Sequence, residues 1–295
     1  MKIRFAVTPP ALVLHEDLFP DYLHACEALG FDTVWLSDVP LGPLGDPLFS
    51  LAFAAGQTRH LKLGANVVPL GRNPLWLAKQ LAQLDRLSRG RLLVSFVPGL
   101  GAPQERSALG HPTGDRGKAV DEMMGLLRRW WAGDTVSARY GEYLFDEIAV
   151  QPLPQQQPLE IWLGGIGPAA LERVARLADG WLTASATPAE AGKGRLTIEA
   201  RAAELGRAID PGHFGISIPY AQAQPQAAAI AALEARRADR DLSQILPLGR
   251  DALKSLIHSH LDVGISKFVL RSLTDSLGWR EDLAWLAEIV LPLQT

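Results

Sequence analysis

The sequence is almost free of cysteine, which limits the sites and compartments that suit it. Cys26 is the single cysteine among 295 residues. A lone cysteine excludes an internal disulfide and any cysteine-rich metal site. Cys26 lies on the apolar face of a predicted helix, where a free thiol behaves as a small hydrophobic side chain. We therefore expect a reducing, cytoplasmic setting and a core position for Cys26.

Long hydrophobic runs and an excess of one charge are also missing. No segment approaches 18 continuous apolar residues, and the apolar run in MKIRFAVTPP is too short for a signal peptide. The net charge is −3, from 29 basic and 32 acidic residues. This balance gives no electrostatic attraction for nucleic acid or an anionic membrane surface. We expect neither a nucleic-acid partner nor a membrane partner.

The histidines do not show the spacing of a metal site. His258 and His260 are two positions apart, so they do not share one face of a helix, which argues against a metal pair. Four further histidines are scattered along the chain: His15, His24, His60 and His213. We expect no metal site.

The most informative stretch of the chain predicts a strand, a helix and a second strand with short connections. Leu61–Val68 is an apolar, β-branched run too short for a helix, and Arg91–Val97 is a similar run. Between them, Asn73 is a helix cap and Pro74 occupies the first helical position, where its missing N–H costs nothing. Two strands joined by a helical crossover are parallel.

Strands and helices alternate along almost the whole chain. The predicted strands are Ile3–Val7, Thr33–Asp38, Leu61–Val68, Arg91–Val97, Pro158–Gly165, Trp181–Ser185, Phe214–Ala221 and Lys267–Ser272. The other predicted helical segments are Asp21–Gly30, Asp46–Thr58, Asp115–Gly133, Pro168–Asp179, a region opened by a Thr187–Glu190 capping box, Gln226–Arg237, Gly249–Val263 and Arg280–Leu291. Thr135–Ile148 breaks this alternation and predicts a hairpin.

Eight strands, each followed by a helical segment, favour an α/β fold of one particular kind. They predict a parallel (β/α)₈ TIM barrel with a small hairpin insertion after the fourth helix. Because such barrels fill this length as one unit, we expect residues 1–295 to form a single domain. A doubly wound open sheet is the alternative, but no G-x-G-x-x-G follows the first strand. Gln155–Gln157, between prolines, is interpreted as an exposed connection.

In this fold the active site lies at the carboxyl ends of the strands. That rule selects Ser37, Asp38, Ala65–Val67, Val97–Gly101, Gly164–Gly167, Ser185, Tyr220 and Arg271. Small residues at two adjacent strand ends, Ala65 and Gly99, would let a flat ring approach the main chain. The alternative is that these glycines only turn the chain.

The glycine cluster before Pro168 is the strongest local signal. Gly164, Gly165, Ile166 and Gly167 join a strand to a helix start, where unpaired N–H groups and the helix dipole favour a phosphate. The alternative is a tight turn with nothing bound. Arg271 is a candidate cationic partner for the phosphate, or one side of a salt bridge at the rim.

Asp38 is the best acid–base candidate. A carboxylate at a strand end could bind substrate or move a proton if burial raises its pKa, and the alternative is a cap or a partner for a nearby arginine. Glu105 and His111 are interpreted as solvated loop residues. The Pro40–Asp46 loop is positioned to act as a lid.

Three segments together resemble the luciferase-like monooxygenase family: GFDTVWLSD, LKLGANVVPLGRNPLWLAKQLAQLDRLSRGRLLVSFVPGLG and PLEIWLGGIGPAALERVARLADGWL. The resemblance covers most of residues 25–185 and is greatest to the branch of probable oxidoreductases that use the deazaflavin coenzyme F-420. It implies a flavin-like ring at the barrel mouth. Asn66-Val67 would lie under the ring, where relatives often have a non-proline cis peptide. Pro98-Gly99 would lie beside the ring, and Gly164-Gly165 would meet the phosphate.

Two departures from the family pattern affect the expected chemistry. Val39 stands where many deazaflavin relatives have a histidine, so proton transfer by that histidine is not available. Phe96–Gly99 stands where relatives often have a glycine-rich G-x-G.

We hypothesise an oxidoreductase that transfers a hydride between coenzyme F-420 and a small organic substrate. The alternatives are a two-component monooxygenase that uses reduced FMN and a reductase partner, and a non-catalytic flavin-binding protein. A phosphosugar barrel enzyme would need a lysine or metal cluster at the strand ends, which the sequence does not show. The resemblance also implies a homodimer.

Overall fold

The computed structural model describes residues 2–14, 18–99, 102–110, 115–225, 227–239, 241–273 and 278–295. Within these residues the strands are β1 (Arg4–Thr8), β2 (Thr33–Ser37), β3 (Lys62–Val67), β4 (Leu92–Phe96), β5 (Val136–Tyr140), β6 (Tyr143–Ile148), β7 (Ile161–Leu163), β8 (Gly180–Ala184), β9 (Phe214–Tyr220) and β10 (Lys267–Ser272). The α-helices are α1 (Leu18–Leu29), α2 (Pro47–Gln57), α3 (Pro74–Leu87), α4 (Pro103–Ala108), α5 (Arg116–Trp131), α6 (Pro168–Leu177), α7 (Pro188–Glu204), α8 (Ala227–Arg236), α9 (Gly249–Asp262) and α10 (Trp279–Val290).

Eight of the strands form a closed barrel, which confirms the predicted α/β fold. Their order is β1-β10-β9-β8-β7-β4-β3-β2. The parallel pairing of β1 with β10, with Arg4 opposite Lys267 and Thr8 opposite Arg271, joins the first strand to the last. An open doubly wound sheet is therefore wrong for this chain, since such a sheet leaves its edge strands unpaired.

The hairpin insertion is also confirmed. β5 and β6 form a separate antiparallel sheet that follows α5. The sequence missed the short helix α4 before it, because six residues are too few to show a helical period.

The predicted fifth barrel strand is longer than the strand in the structure. Pro158–Gly165 was expected, whereas β7 covers only Ile161–Leu163. Proline cannot donate a ladder hydrogen bond, and Gly165 has a φ of +100°, outside the strand region. The strand β7 therefore begins after Pro158 and ends before Gly165.

By contact density the chain divides into two compact units: Leu36–Trp162, and Met1–Trp35 with Leu163–Thr295. The expectation of a single domain stays a prediction.

In the Leu36–Trp162 unit the predicted helix start at Asn73 is confirmed. The Asn73 side-chain oxygen accepts hydrogen bonds from the N–H groups of Leu75 and Trp76, at 2.9 and 3.3 Å. Leu77 and Leu81 of the same helix are fully buried. The cap and the apolar stripe therefore fix where α3 begins and which face it buries.

A buried carboxylate in the same unit holds the Gln155–Gln157 connection. Asp85 accepts hydrogen bonds from the backbone N–H groups of Gln155 and Gln156 and from the Gln156 side chain, at 2.7, 2.8 and 2.7 Å. Gln156 is half-buried, so the interpretation of the whole run as exposed is wrong at this residue. Its amide also donates to the carbonyl of Leu92.

The second unit has an aromatic and aliphatic core. Phe5 stacks on Phe268 with ring centroids 5.3 Å apart. Cys26 is fully buried, as expected, and burial raises the pKa of its thiol. The predicted capping box at Thr187 and Glu190 opens α7. Among the described residues, no helix is both long and apolar enough to cross a membrane.

Candidate functional site

The ends of β2 and β3 are joined by hydrogen bonds at their carboxyl edge. The Asp38 N–H donates to the Asn66 carbonyl at 2.8 Å. The Asn66 side-chain amide donates to the Ser37 hydroxyl at 3.2 Å. The structure therefore brings together Asp38 and Asn66, two of the residues that the sequence selected for the site.

The carboxylate of Asp38 lies in a tight polar arrangement. Its Oδ2 accepts from the Val68 N–H at 3.1 Å and from Nη2 of Arg72 at 2.8 Å. Only 7% of the Asp38 side chain is exposed. Asp38 is therefore a partner for a nearby arginine, which was one of its two interpretations.

Arg72 also binds a second carboxylate. Its Nη2 lies 3.0 Å from Asp46 Oδ2, and its Nε donates to the Val68 carbonyl at 3.2 Å. Burial by itself would lower the pKa of Arg72. The hydrogen bonds and charges of Asp38 and Asp46 have the larger effect, so the pKa is raised above its ordinary value. The guanidinium stays charged throughout the working pH range.

The same contacts hold both ends of the predicted lid. Asp38 precedes the Pro40–Asp46 loop, and Asp46 ends the loop as the N-cap of α2, accepting from the N–H of Leu48 at 2.8 Å. Arg72 therefore ties the start of the loop to its end. A cavity of about 250 Å³ lies against this loop, and it is lined by Asp38, Val39, Pro40, Leu44, Gly45, Asp46, Val68, Leu70, Gly71, Arg72 and Leu109.

Glu105 is buried, so its interpretation as a solvated loop residue is wrong. It lies on α4 and is 3% exposed. A Cβ atom on Gly99 would come within 2.5 Å of Glu105 Oε1 and 3.5 Å of Val68 Cγ1. Gly99 has a φ of +75°, so glycine is needed there for its backbone conformation. His111, Leu100 and Gly101 lie outside the described residues.

The residues expected beneath the ring differ in how far their side chains are buried. The side chains of Ala65 and Val67 are fully buried, so only their main chain is available, whereas Asn66 is half-buried. The expected cis peptide at Asn66-Val67 is not found. Both residues pair in register with β4, and the cis bonds of the described residues precede Pro152 and Pro158. A trans peptide continues the ladder there. Pro98 is exposed.

The glycine turn lies in the other unit. Gly167 is the N-cap residue of α6, and no side chain caps this helix. The Gly165 carbonyl accepts from Nε1 of Trp181 at 2.8 Å, and Ile166 is exposed. A Cβ on Gly165 would come within 2.8 Å of the Ala170 Cβ. No side-chain cap therefore competes for the start of α6, which suits an anionic group.

Two further strand-end residues of this unit have different surroundings. Arg271, near the end of β10, is exposed. Tyr220, at the end of β9, is buried and donates to Asp282 Oδ2 at 2.7 Å, and Gln222 donates to the other oxygen at 2.8 Å. Burial raises the pKa of Tyr220 well above its usual value. Its proton is therefore held in the Asp282 hydrogen bond.

The described residues include no group of three or more His, Cys, Asp and Glu side chains that could hold a metal. His260 is fully buried, whereas His258 is exposed and contacts the Lys254 carbonyl.

Sequence reasoning missed Arg72 and Asp46. Asp46 was predicted only as the first residue of a helix and the last residue of the lid loop. Arg72 had no local signal, because its partner Asp38 is 34 positions away.

The structure defines a closed (β/α)₈ barrel, and such barrels carry their active sites at the carboxyl ends of the strands. The model of the luciferase-like monooxygenase family matches residues 17–263. The chain belongs to this family.

Individual relatives agree with that membership. An FMNH2-dependent dimethylsulfone monooxygenase of Pseudomonas putida is 32% identical over 160 residues, or 52% of this chain and 44% of the relative. The chain thus spans less than half the length of this curated relative.

Solved structures show the same fold. The monooxygenase RslO1 of Streptomyces bottropensis has a TM-score of 0.80 at 23% identity, over 99% of both chains. The coenzyme F420-dependent tetrahydromethanopterin reductase of Methanopyrus kandleri has a TM-score of 0.78 at 16% identity, over 100% of both chains. At these identities the likeness concerns the fold alone.

Proposed function

We propose that the protein is a monooxygenase that uses reduced FMN to oxygenate a small organic molecule. The observation that carries the proposal is the state of Asp38. Its carboxylate is bound to Arg72 and to the Val68 N–H, and its neighbour at the strand end is Val39. Hydride exchange with an alcohol or carbonyl needs a group that moves a proton at oxygen. Neither residue at the end of β2 is free to do so.

Glu105 is the other buried carboxylate near this edge, and it also has a polar interaction of its own. The chain is therefore better suited to bind, orient and shield than to act as an acid or base. Reduced FMN supplies the electrons that activate dioxygen, and the protein supplies the binding site. Relatives described as FMNH2-dependent support this choice.

We assign the phosphate of the cofactor to the Gly164–Gly167 turn and Arg271, which lie within one unit. Support comes from the uncapped start of α6. Contact of a ring with Asn66, the main chain of Ala65 and Val67, and Pro98-Gly99 stays an expectation from the family resemblance.

Equilibrium binding of FMN, riboflavin and coenzyme F-420 to the purified protein tests the proposal. We expect FMN to bind in the micromolar range and riboflavin, which lacks the phosphate, to bind at least tenfold more weakly. Arg271→Gln should reduce this preference. Arg250→Gln, which removes a surface arginine paired with Glu288, is the matched control. Binding of F-420 alone would instead support the F-420-dependent oxidoreductase.

Catalysis is tested by substrate-dependent turnover. We expect a flavin reductase, added as the partner that supplies reduced FMN, to support oxygen consumption coupled to oxidation of a small substrate. Binding of FMN with no coupled oxidation across a broad substrate panel would favour a non-catalytic flavin-binding protein.

We further propose that the protein is a homodimer formed through α2 and α3. Phe49 and Trp76, one on each helix, are 76% and 60% exposed, and Phe53 and Leu87 are also exposed. The eleven residues of α2 include no charged side chain. Exposed aromatic side chains on two helices, one of them without charge, favour burial against a second copy.

A further inference from the structure

We propose that the cavity beside Arg72 binds the substrate, and that it selects a small neutral molecule with a hydrogen-bond-accepting oxygen, such as a sulfone, sulfoxide or ketone. This inference rests on the proposed function, since it names the substrate class for that reaction. The cavity lies wholly within the Leu36–Trp162 unit.

The donors of Arg72 give the first argument. A guanidinium has five N–H groups. One, on Nε, is bound to the Val68 carbonyl, and Nη2 is bound to Asp38 and Asp46. The two N–H groups of Nη1 have no partner among the described residues. Arg72 lines the cavity and its side chain is 24% exposed, so these donors can reach a ligand.

The charge of the cavity gives the second argument. Its charged lining residues are Asp38, Asp46 and Arg72, so two negative charges and one positive charge leave a net charge of −1. An anionic ligand would therefore meet repulsion from the carboxylates as well as attraction from the guanidinium. A neutral ligand oxygen can accept hydrogen bonds from the Nη1 groups of Arg72 without repulsion from the carboxylates.

The remaining lining gives the third argument. Val39, Leu44, Leu70 and Leu109 are apolar, so the rest of the ligand meets hydrocarbon. A volume of about 250 Å³ falls below the 300–1,000 Å³ typical of sites for drug-sized ligands. The lining therefore suits a compact molecule with a polar end and an apolar end.

Val39 is part of the apolar wall of this cavity. A histidine in this position would add a second donor side chain and a titratable proton. Valine instead keeps Arg72 as the single donor side chain among the described residues that line the cavity. We infer that the ligand is oriented by one donor.

The test measures ligand binding without cofactor, by ligand-observed NMR titration. The probes are dimethyl sulfone and methanesulfonate, which are similar in size and differ in charge. We expect dimethyl sulfone to bind at least tenfold more tightly than methanesulfonate. Equal or tighter binding of methanesulfonate, or no binding of dimethyl sulfone, would overturn the proposal.

Two variants locate the binding. Arg72→Lys keeps the charge, but the three N–H donors of lysine match only Asp38, Asp46 and the Val68 carbonyl. We expect at least a tenfold loss of sulfone affinity. Leu44→Trp fills the cavity and should abolish sulfone binding while the melting temperature stays within a few degrees of the parent value. Unchanged sulfone binding in folded Leu44→Trp protein would contradict the proposal.

Arg201→Lys is the matched control, since Arg201 also bridges two carboxylates, those of Glu172 and Glu204, but lies outside the cavity. It should leave sulfone affinity unchanged. FMN affinity is measured separately, so sulfone binding without FMN binding would defeat the proposed function and not the substrate pocket.

Discussion

Nη2 of Arg72 lies 2.8 Å from Oδ2 of Asp38, although the two residues are 34 positions apart in the chain. This ion pair links the end of β2 to the segment that follows β3. It also fixes the charge at the edge where the sequence had predicted an acid or base. Its consequences can be tested directly.

We predict that Asp38→Asn affects substrate binding more than turnover. The variant removes the charge that holds Arg72, so the KM for substrate should rise about tenfold while kcat falls less than tenfold. Steady-state kinetics against pH gives the measurement. Asp32→Asn, at the other end of β2 and paired with Arg4 at 3.0 Å, is the control. A large loss of kcat with a changed pH profile would instead assign proton transfer to Asp38.

We predict that Asp85→Asn lowers the free energy of unfolding by about 2–4 kcal/mol. The buried carboxylate accepts three hydrogen bonds from Gln155 and Gln156, and an amide would place a donor against a donor. Urea denaturation measures the change. Asp134→Asn, an exposed residue 3.9 Å from Arg129, should change stability by no more than about 0.5 kcal/mol.

We predict that His260 makes the fold sensitive to acid. Burial lowers the pKa of His260 from 6.5 to about 4, and its ring nitrogens have no hydrogen-bond partner among the described residues. Between pH 6.5 and 4 the His260 ring is therefore protonated in the unfolded chain and neutral in the folded chain. Above pH 6.5 the ring is neutral in both states, so His260 does not lower the free energy of unfolding. As the pH falls from 6.5 towards 4, the free energy of unfolding decreases, by about 3 kcal/mol at most.

His260→Leu should flatten the dependence of unfolding free energy on pH between 6.5 and 4, as measured by denaturation at a series of pH values. His258→Leu on the same helix changes an exposed residue and should leave the slope as it was. An equal slope in the parent protein and His260→Leu would contradict the assignment.

We predict that Gly194→Ala destabilises the protein by about 1–3 kcal/mol. The added Cβ would lie 2.7 Å from the Trp181 ring, and that ring is fully buried and cannot move aside without disturbing its neighbours. Gly125→Ala in α5 is the control, because nothing lies within 4 Å of its Cβ position. There alanine should stabilise the helix by up to about 1 kcal/mol. Thermal unfolding of both variants measures the difference.

We predict that a charge at the exposed aromatic face of α2 and α3 breaks the proposed homodimer. Trp76→Arg should produce monomers in sedimentation-velocity experiments, since a buried unpaired charge disfavours the interface. Leu144→Arg on the hairpin is the control, because Leu144 is similarly exposed but belongs to β6 of the separate two-stranded sheet. A parent protein that sediments as a monomer would refute the dimer.

The elements of the fold were accessible from the sequence where their signals are local. The Asn73 cap, the Thr187–Glu190 capping box and the β10 limits at Lys267 and Ser272 were predicted as they occur. A cap and its helix lie within four residues of each other, so the sequence alone contains the whole interaction. The limits of β7 were less accurate, because strand length depends on the partner strands.

The site was only partly accessible for the same reason. The rule that barrels use the carboxyl ends of their strands selected Asp38, Asn66 and Gly99 from sequence. Which of them would be charged, paired or buried depended on Arg72 and Glu105, whose contacts with these residues no local pattern predicts.

The sequence by itself determined the alternation of strands and helices, the helix starts and the glycines at the strand ends, because each depends on the conformational preferences of neighbouring residues. The tertiary structure alone decided that Asp38 is paired with Arg72 and that Glu105 lies buried against Gly99. The first contact forms only when β2 and β3 lie side by side, and the second only when α4 folds back on the loop that precedes it, since charge and burial depend on distance in space and not on position along the chain.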